Sequence, residues 1–253
     1  MNEAFCRTES LIGPERMARL KESRVAVFGI GGVGGYAVEA LTRSGIGAID
    51  LVDHDRVAWS NLNRQIIATR RTIGMLKVDA AEERIREINP ECIVRKHALF
   101  FLPETRAMFD FSEYDYVIDA IDTVTGKLQL IQAAQDTGTP IISCMGAGNK
   151  MNPGAFRIAD LYETSVCPLA RIMRKECRKR GIRGLKVLYS VEEPVRPAKT
   201  GEDSGNWAAS KTERVEGKKK THRKDTPGSI SFVPSAAGLM IAGEVIRDLI
   251  GMT

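Results

Sequence analysis

Short apolar runs alternate with longer amphipathic ones through the first half of the chain. RVAVF (24–28), AIDLVD (48–53), CIVRKH (92–97), DYVID (115–119) and TPIISC (139–144) are rich in β-branched and aliphatic residues, as buried strands are. Between them, residues 33–44, 74–88 and 123–136 repeat apolar positions at helical spacing. Residues 14–22 (PERMARLKE) read as an earlier helix, with Pro14 in the first turn where its missing N–H is harmless. Strand and helix in alternation predict an α/β fold: a Rossmann-like, doubly wound, mostly parallel sheet with helices on both faces and a C-terminal extension. Ligands of such sheets sit beyond the carboxyl ends of the strands.

After Cys144 the rhythm changes. Gly146, Gly148, Pro153 and Gly154 predict a loop, while FRIAD (156–160) and LKVLYSV (185–191) predict strands. Residues 166–180 form a basic helical segment, 195–229 a Pro-, Gly-, Ser- and Lys-rich flexible insert, and 234–250 a last helix that packs back on the sheet. The pattern divides the chain into an N-terminal arm and helix (1–22), a nucleotide-binding Rossmann-like region (23–150) and a C-terminal region (151–253). There is no internal repeat.

Composition narrows the class. With 253 residues, 43% hydrophobic and 27% charged, the chain can bury a full core. No apolar run approaches the roughly 18 residues of a membrane span, and MNEAFCRTES lacks the apolar core of a secretion signal. A cytoplasmic protein with no membrane partner is expected. The five cysteines form no CxxC pair, so they read as reduced thiols and argue against structural zinc. Charge is uneven: residues 1–149 hold 17 Lys/Arg against 20 Asp/Glu, and residues 150–253 hold 20 against 12. A basic half beside a nucleotide-binding half points to an anionic partner such as RNA.

The chemistry begins at the end of the first strand. Gly29, Gly31 and Gly34 satisfy G-x-G-x-x-G, and Asp53 follows nineteen residues after Gly34 at a strand end. Glycines let the backbone turn tightly against a phosphate, which the next helix holds on its free N–H groups. Gly32 and Gly35 enlarge the loop enough for a triphosphate, and Asp53 can accept both ribose hydroxyls. This much would serve a dinucleotide. Asp55, Asn61, Arg64 and Lys77 change the reading, because a dinucleotide site has no need of two cations there. Cleaving ATP between its α and β phosphates builds negative charge that fixed Arg and Lys donors stabilise. Asp119 and Asp122, in VIDAID, could hold Mg2+ or cap the helix near Thr123; we assign Asp122 to the metal and Asp119 to structure. The residues together describe an adenylate-forming enzyme using ATP and Mg2+.

GIGGVG, DHDRVAWSNLNRQ, Lys77 in GMLKVDAAEERIREINP, and DAID resemble the superfamily of ubiquitin-activating enzymes and their bacterial relatives over residues 5–150. The resemblance implies adenylation of a carboxylate, with ATP roles for Gly32, Asp53, Asp55, Asn61, Arg64, Lys77 and Asp122. FCRTESLIG resembles the segment whose arginine, here Arg7, reaches into the partner subunit's site. That implies a homodimer with composite sites.

The second half resembles the tRNA threonylcarbamoyladenosine dehydratases, through SCMGAGNKMNPGAFRIADLYET, PLARIMRKECRKRGI, YSVEEP and SFVPSAAGLMIAGEVI. This implies ATP-dependent cyclisation of threonylcarbamoyladenosine in tRNA through an acyl-adenylate of its carboxylate. The alternative is adenylation of the C-terminal glycine of a sulfur-carrier or ubiquitin-like protein, whose activators often carry the zinc-binding CxxC pairs missing here. A sulfur-transfer protein partner remains open. For tRNA phosphates the candidates are Arg171, Arg174, Lys175, Arg178, Lys179 and Arg180, with the run Lys218–Lys224. Cys167 departs from the family, standing where an aspartate is expected. The neighbouring Lys and Arg predict a lowered thiol pKa for Cys177, although a tethered carbamoyl nucleophile needs no enzyme thioester. His54, His97 and His222 are scattered and receive no catalytic role.

Overall fold

The computed structural model describes residues 3–196 and 227–252. Its seven strands are β1 (Arg24–Phe28), β2 (Ala48–Val52), β3 (Ile93–His97), β4 (Tyr116–Asp119), β5 (Ile141–Cys144), β6 (Phe156–Asp160) and β7 (Lys186–Ser190). They form one sheet in the order β3-β2-β1-β4-β5-β7-β6. Every neighbouring pair is parallel except β6 with β7, which are antiparallel. The strand order reverses between β1 and β4, which is where a doubly wound sheet opens a crevice.

The helices are α1 (Cys6–Ile12), α2 (Pro14–Glu22), α3 (Gly34–Arg43), α4 (Lys77–Ile88), α5 (Val124–Thr137), α6 (Pro168–Lys179) and α7 (Phe232–Leu249). α2, β1 and β6 begin and end where the pattern predicts. Three differences have local causes. α4 starts three residues later than predicted, because Gly74 has φ +87° and Leu76 is held by Arg56 in an isolated antiparallel bridge. α7 starts two residues earlier, with Pro234 in its first turn, where no helical N–H is lost. Much of the N-terminal arm is itself helical, as α1. The Lys218–Lys224 run, His222 and residues 197–226 of the insert lie outside the described residues.

The central strands are buried on both faces, so they read as continuous apolar runs and not as alternating ones. Alternate residues still face opposite cores. Val25 and Val27 pack with Leu41 of α3, Ile85 of α4 and Ile241 of α7, while Ala26 and Phe28 pack with Phe101, Phe109, Phe111 and Leu130. On that second face α5 and α6 close over β7 through Leu128, Ile131, Met173 and Val187. The final helix, α7, packs against α3 and reaches β4 and β5. The sheet also runs across residue 150, since β7 pairs directly with β5. Among the described residues, no helix is long and apolar enough to cross a membrane.

The α3–α7 contact needs a glycine. A Cβ on Gly238 would sit 2.3 Å from the Val33 carbonyl oxygen and 2.8 Å from Tyr36 Cβ. Both obstacles lie on or beside backbone, so the helices would have to separate. Gly238→Ala is expected to cost about 1–3 kcal/mol by overpacking, lowering Tm by about 2–4 °C for each kcal/mol. Urea unfolding with an unchanged m-value would measure it.

Candidate functional site

The carboxyl ends of β1, β2 and β4 enclose a cleft of about 290 Å³. Backbone geometry shapes its floor. Gly29, one residue past β1, has φ +91°, and a Cβ there would lie 2.7 Å from the Ala120 carbonyl oxygen. A Cβ on Gly34 would lie 1.8 Å from the Gly29 carbonyl oxygen. Only glycines let β1, the loop and α3 close together against the end of β4. Gly29 and Gly31 line the cleft, but Gly32 and Gly34 do not. Gly34 also serves helix–strand packing, and Gly32 faces Pro234 of α7, to which a Cβ would come within 3.2 Å.

Asp53, one residue past β2, is buried and already bonded. Its Oδ2 accepts the Ile30 N–H at 2.7 Å and its Oδ1 the Asp55 N–H at 2.8 Å. Lys77, the first residue of α4, is buried with Nζ 3.0 Å from Asp55 Oδ2 and 3.5 Å from Asp53 Oδ2. Asn61 ends a turn of 3-10 helix (Trp59–Asn61) and accepts the Ala58 N–H at 3.0 Å. Arg64 Nη1 donates to the Ser60 carbonyl at 2.8 Å and to Asn63 Oδ1 at 2.9 Å. Burial lowers the Arg64 guanidinium pKa from its ordinary value, yet an arginine keeps its charge in proteins. Two partly desolvated cations thus face one cleft, the setting in which an anion is bound most strongly.

Asp122 is exposed at the rim of the cleft, with no hydrogen-bond or ion-pair partner among the described residues. A free carboxylate beside cations that would hold phosphates suits Mg2+, which takes one or two carboxylates plus phosphate oxygens. Ligand atoms of Asp53, His54 and Asp55 also lie within 4.8 Å of one another. Lys77 already compensates the charge of that group, so Asp122 fits the ion better. Asp119 behaves otherwise. It is fully buried, with both oxygens 3.1 Å from Lys127 Nζ and the Ser143 hydroxyl donating to it at 2.5 Å. Lys127 Nζ also donates to the Cys144 carbonyl at 2.7 Å. Neither aspartate caps α5, whose N-cap is Thr123 without a side-chain cap bond.

The ThiF family pattern matches residues 5–253. The chain belongs to the ThiF family. Within the family it is similar along its whole length to the tRNA threonylcarbamoyladenosine dehydratase of Bacillus subtilis, at 42% identity over 99% of this chain and 96% of the relative. The Escherichia coli dehydratase is 34% identical over 98% of this chain and 93% of its own. A crystal structure of that Escherichia coli enzyme in complex with AMP matches with a TM-score of 0.84 and 32% identity, covering 98% of this chain and 94% of the other. The same enzyme in complex with ATP matches equally well, with a TM-score of 0.84.

The basic helix α6 is less available than its composition suggests. Arg174 Nη1 donates to the Thr164 carbonyl at 2.9 Å and to the Thr164 hydroxyl. Lys179 and Arg180 pair with Glu176 at 2.7 and 2.8 Å, and Arg178 lies 5.2 Å from the Tyr162 ring centroid. Arg171 and Lys175 alone of the six are exposed with no side-chain partner among the described residues. Arg7 is exposed on α1 and does not line the cleft of its own chain.

The expected lowering of the Cys177 pKa is overturned. Its side chain faces the apolar core, and burial pushes the thiol up to about 11; neighbouring helical charges point outward and cannot offset desolvation. Cys167 is the N-cap of α6, immediately before Pro168, and makes no cap hydrogen bond. An aspartate there would accept N–H groups of the first turn, which gives the family's residue a structural sense.

Sequence reasoning missed part of the wall. Leu99, Phe100 and Phe101 form an apolar side, with His54 edge-on to Phe100 at 4.6 Å. Gln65 is buried beside Arg64, and its Oε1 has no hydrogen-bond partner among the described residues. Lys127 was also missed, although a lone charge on the face carrying Leu128 and Ile131 is a signal of pairing.

Removing one member of the buried pair leaves the other uncompensated. Lys127→Met is expected to cost about 3–5 kcal/mol, and adding Asp119→Leu should recover much of it; paired denaturation curves would test both. Native Cys177 should resist iodoacetamide at pH 8 and react on unfolding, as peptide mass spectrometry would record.

Proposed function

We propose that this chain catalyses the ATP-dependent cyclisation, by loss of water, of threonylcarbamoyladenosine in tRNA. The observation that carries the reading is the convergence of Arg64, Lys77 and Asp122 on one glycine-floored cleft, in a chain alike over its whole length to dehydratases of this kind. The apolar wall of Leu99 and Phe100 receives the adenine, and Asp53 the ribose through the lone pairs its N–H partners leave free. Gly29 and Gly31 bring the backbone close to the phosphates, which Arg64 and Lys77 hold. Mg2+, bound through Asp122, would neutralise phosphate charge there.

The threonyl carboxylate of the substrate attacks the α-phosphorus. Its C–O–P bond forms as the α–β bridge breaks, and pyrophosphate leaves. Arg64 and Lys77 stabilise the charge that develops on both fragments. The neighbouring carbamoyl group then attacks the activated acyl carbon and loses its proton, and AMP departs. The nucleophile is tethered, so effective molarity replaces an enzyme thioester. Burial raises the thiol pKa of Cys92 to about 11, of Cys144 to about 12 and of Cys177 to about 11.

We assign tRNA phosphate contacts first to Arg171 and Lys175, the unpartnered cations of α6, with the other four cations supporting them. The working unit is a cytoplasmic homodimer in which Arg7 of one protomer completes the site of its partner. The exposed Arg7 shares α1 with Leu11, which is 84% exposed and suits an apolar contact between copies.

Wild-type protein with ATP and fully modified tRNA is expected to release pyrophosphate and AMP and to yield a nucleoside lighter by one water. An unchanged nucleoside mass would overturn the proposal. Arg64→Ala and Asp122→Ala should each lower turnover by about 10²–10³. Mixing Arg7→Ala chains with Arg64→Ala chains should restore activity that neither has alone, since one site of the mixed dimer is intact.

A further inference from the structure

Arg64 is held by more than its own loop. Its Nη1 donates to Asn63 Oδ1 at 2.9 Å, and Asn63 Nδ2 in turn donates to the Ser229 carbonyl at 3.0 Å, a residue 166 positions further along the chain. Ser229 follows Gly228, which Asn149 grips from both sides: Gly228 N–H donates to Asn149 Oδ1 at 2.6 Å, and Asn149 N–H to the Gly228 carbonyl at 2.8 Å. Asn149 also takes the Val195 N–H on its own carbonyl at 2.8 Å. Residues on either side of 197–226 therefore meet at one asparagine. That asparagine has φ +56°, in the left-handed region, which asparagine tolerates better than most residues with a side chain. Its N–H and side chain face Gly228 while its carbonyl takes the Val195 N–H.

An arginine has four rotatable side-chain bonds, and a half-buried one aimed at a phosphate gains little unless its head group is already placed. The glycine loop lies beside the aliphatic stem, where a Cβ added to Gly32 would come 3.6 Å from Arg64 Cγ. Among the described residues, the guanidinium hydrogen-bonds to Ser60 and Asn63. From this we propose that Asn63 and Asn149 are positioning residues, which set the Arg64 guanidinium through the Asn149–Gly228–Ser229–Asn63 chain of hydrogen bonds and so tie the phosphate-binding arginine to the docking of the C-terminal segment.

The inference rests on the reading of the cleft as an ATP site, and its test uses ATP binding, which does not require turnover. Asn63→Ala removes the link. Asn149→Gly removes the side-chain acceptor but keeps a residue at ease with positive φ. Each is expected to weaken ATP binding, measured by titration calorimetry, by about three- to tenfold, the range of one or two lost hydrogen bonds. Thermal unfolding monitors that both variants stay folded. The two combined should weaken binding no more than either alone, and in an Arg64→Ala background neither should have a further effect. Additive losses, losses that persist without Arg64, or unaltered affinity would each overturn the proposal. Wild-type protein that binds ATP yet leaves modified tRNA unchanged would count against the proposed reaction alone and leave this cycle readable.

Discussion

One carboxylate, that of Asp53, joins the pieces from which the cleft is made. From the end of β2 it fixes the glycine loop by the Ile30 N–H, its own downstream loop by the Asp55 N–H, and the start of α4 by Lys77. Each bond is charge-assisted, and such bonds are about twice as strong as neutral ones. The floor, the polar loop and one of the two cations thus depend on a single side chain. A ligand reaching Asp53 meets a group already oriented, so little ordering remains to oppose binding.

A second charged group works beneath it at higher stakes. Asp119 and Lys127 are fully buried, and their attraction must offset desolvation of several kcal/mol per ion. Ser143 and the Cys144 carbonyl supply the remaining hydrogen bonds, as a buried pair requires. The pair links β4, β5 and α5 just below the loop that carries Asp122. An apolar substitute of equal volume could match its stability. What the ions add is direction, since the Asp119 carboxylate also takes the Ile121 N–H at the base of that loop.

The surface of α6 shows how weakly composition predicts available charge. All six of its candidate cations lie within ten residues, Arg171–Arg180, beside Glu176 and packed over Tyr162 and Thr164. Glu176 is held down to about 2 by its hydrogen bonds to Lys179 and Arg180, although exposed pairs of this kind contribute little energy. They do neutralise one another locally. The field a polyanion would meet is accordingly centred on the N-terminal part of the helix.

Much of this protein was legible before any coordinates. Buried parallel strands are short apolar runs, and helices between them repeat at their own period, so the doubly wound sheet, the glycine cradle and the grouping of Asn61, Arg64 and Lys77 after Asp53 follow from local pattern and short spacing. Other features depended on which distant segments meet. Gly34 packs closely because the Gly29 carbonyl closes over it; Cys177 is buried because α6 turns it inward. The Lys127–Asp119 pair, the orphan Oε1 of Gln65 and the reach of Asn63 to Ser229 are likewise products of packing. Local sequence carries periodicity and backbone preference, which are properties of neighbours along the chain. Burial and partnership belong to neighbours in space, and those only the folded sheet and the return of α7 could decide.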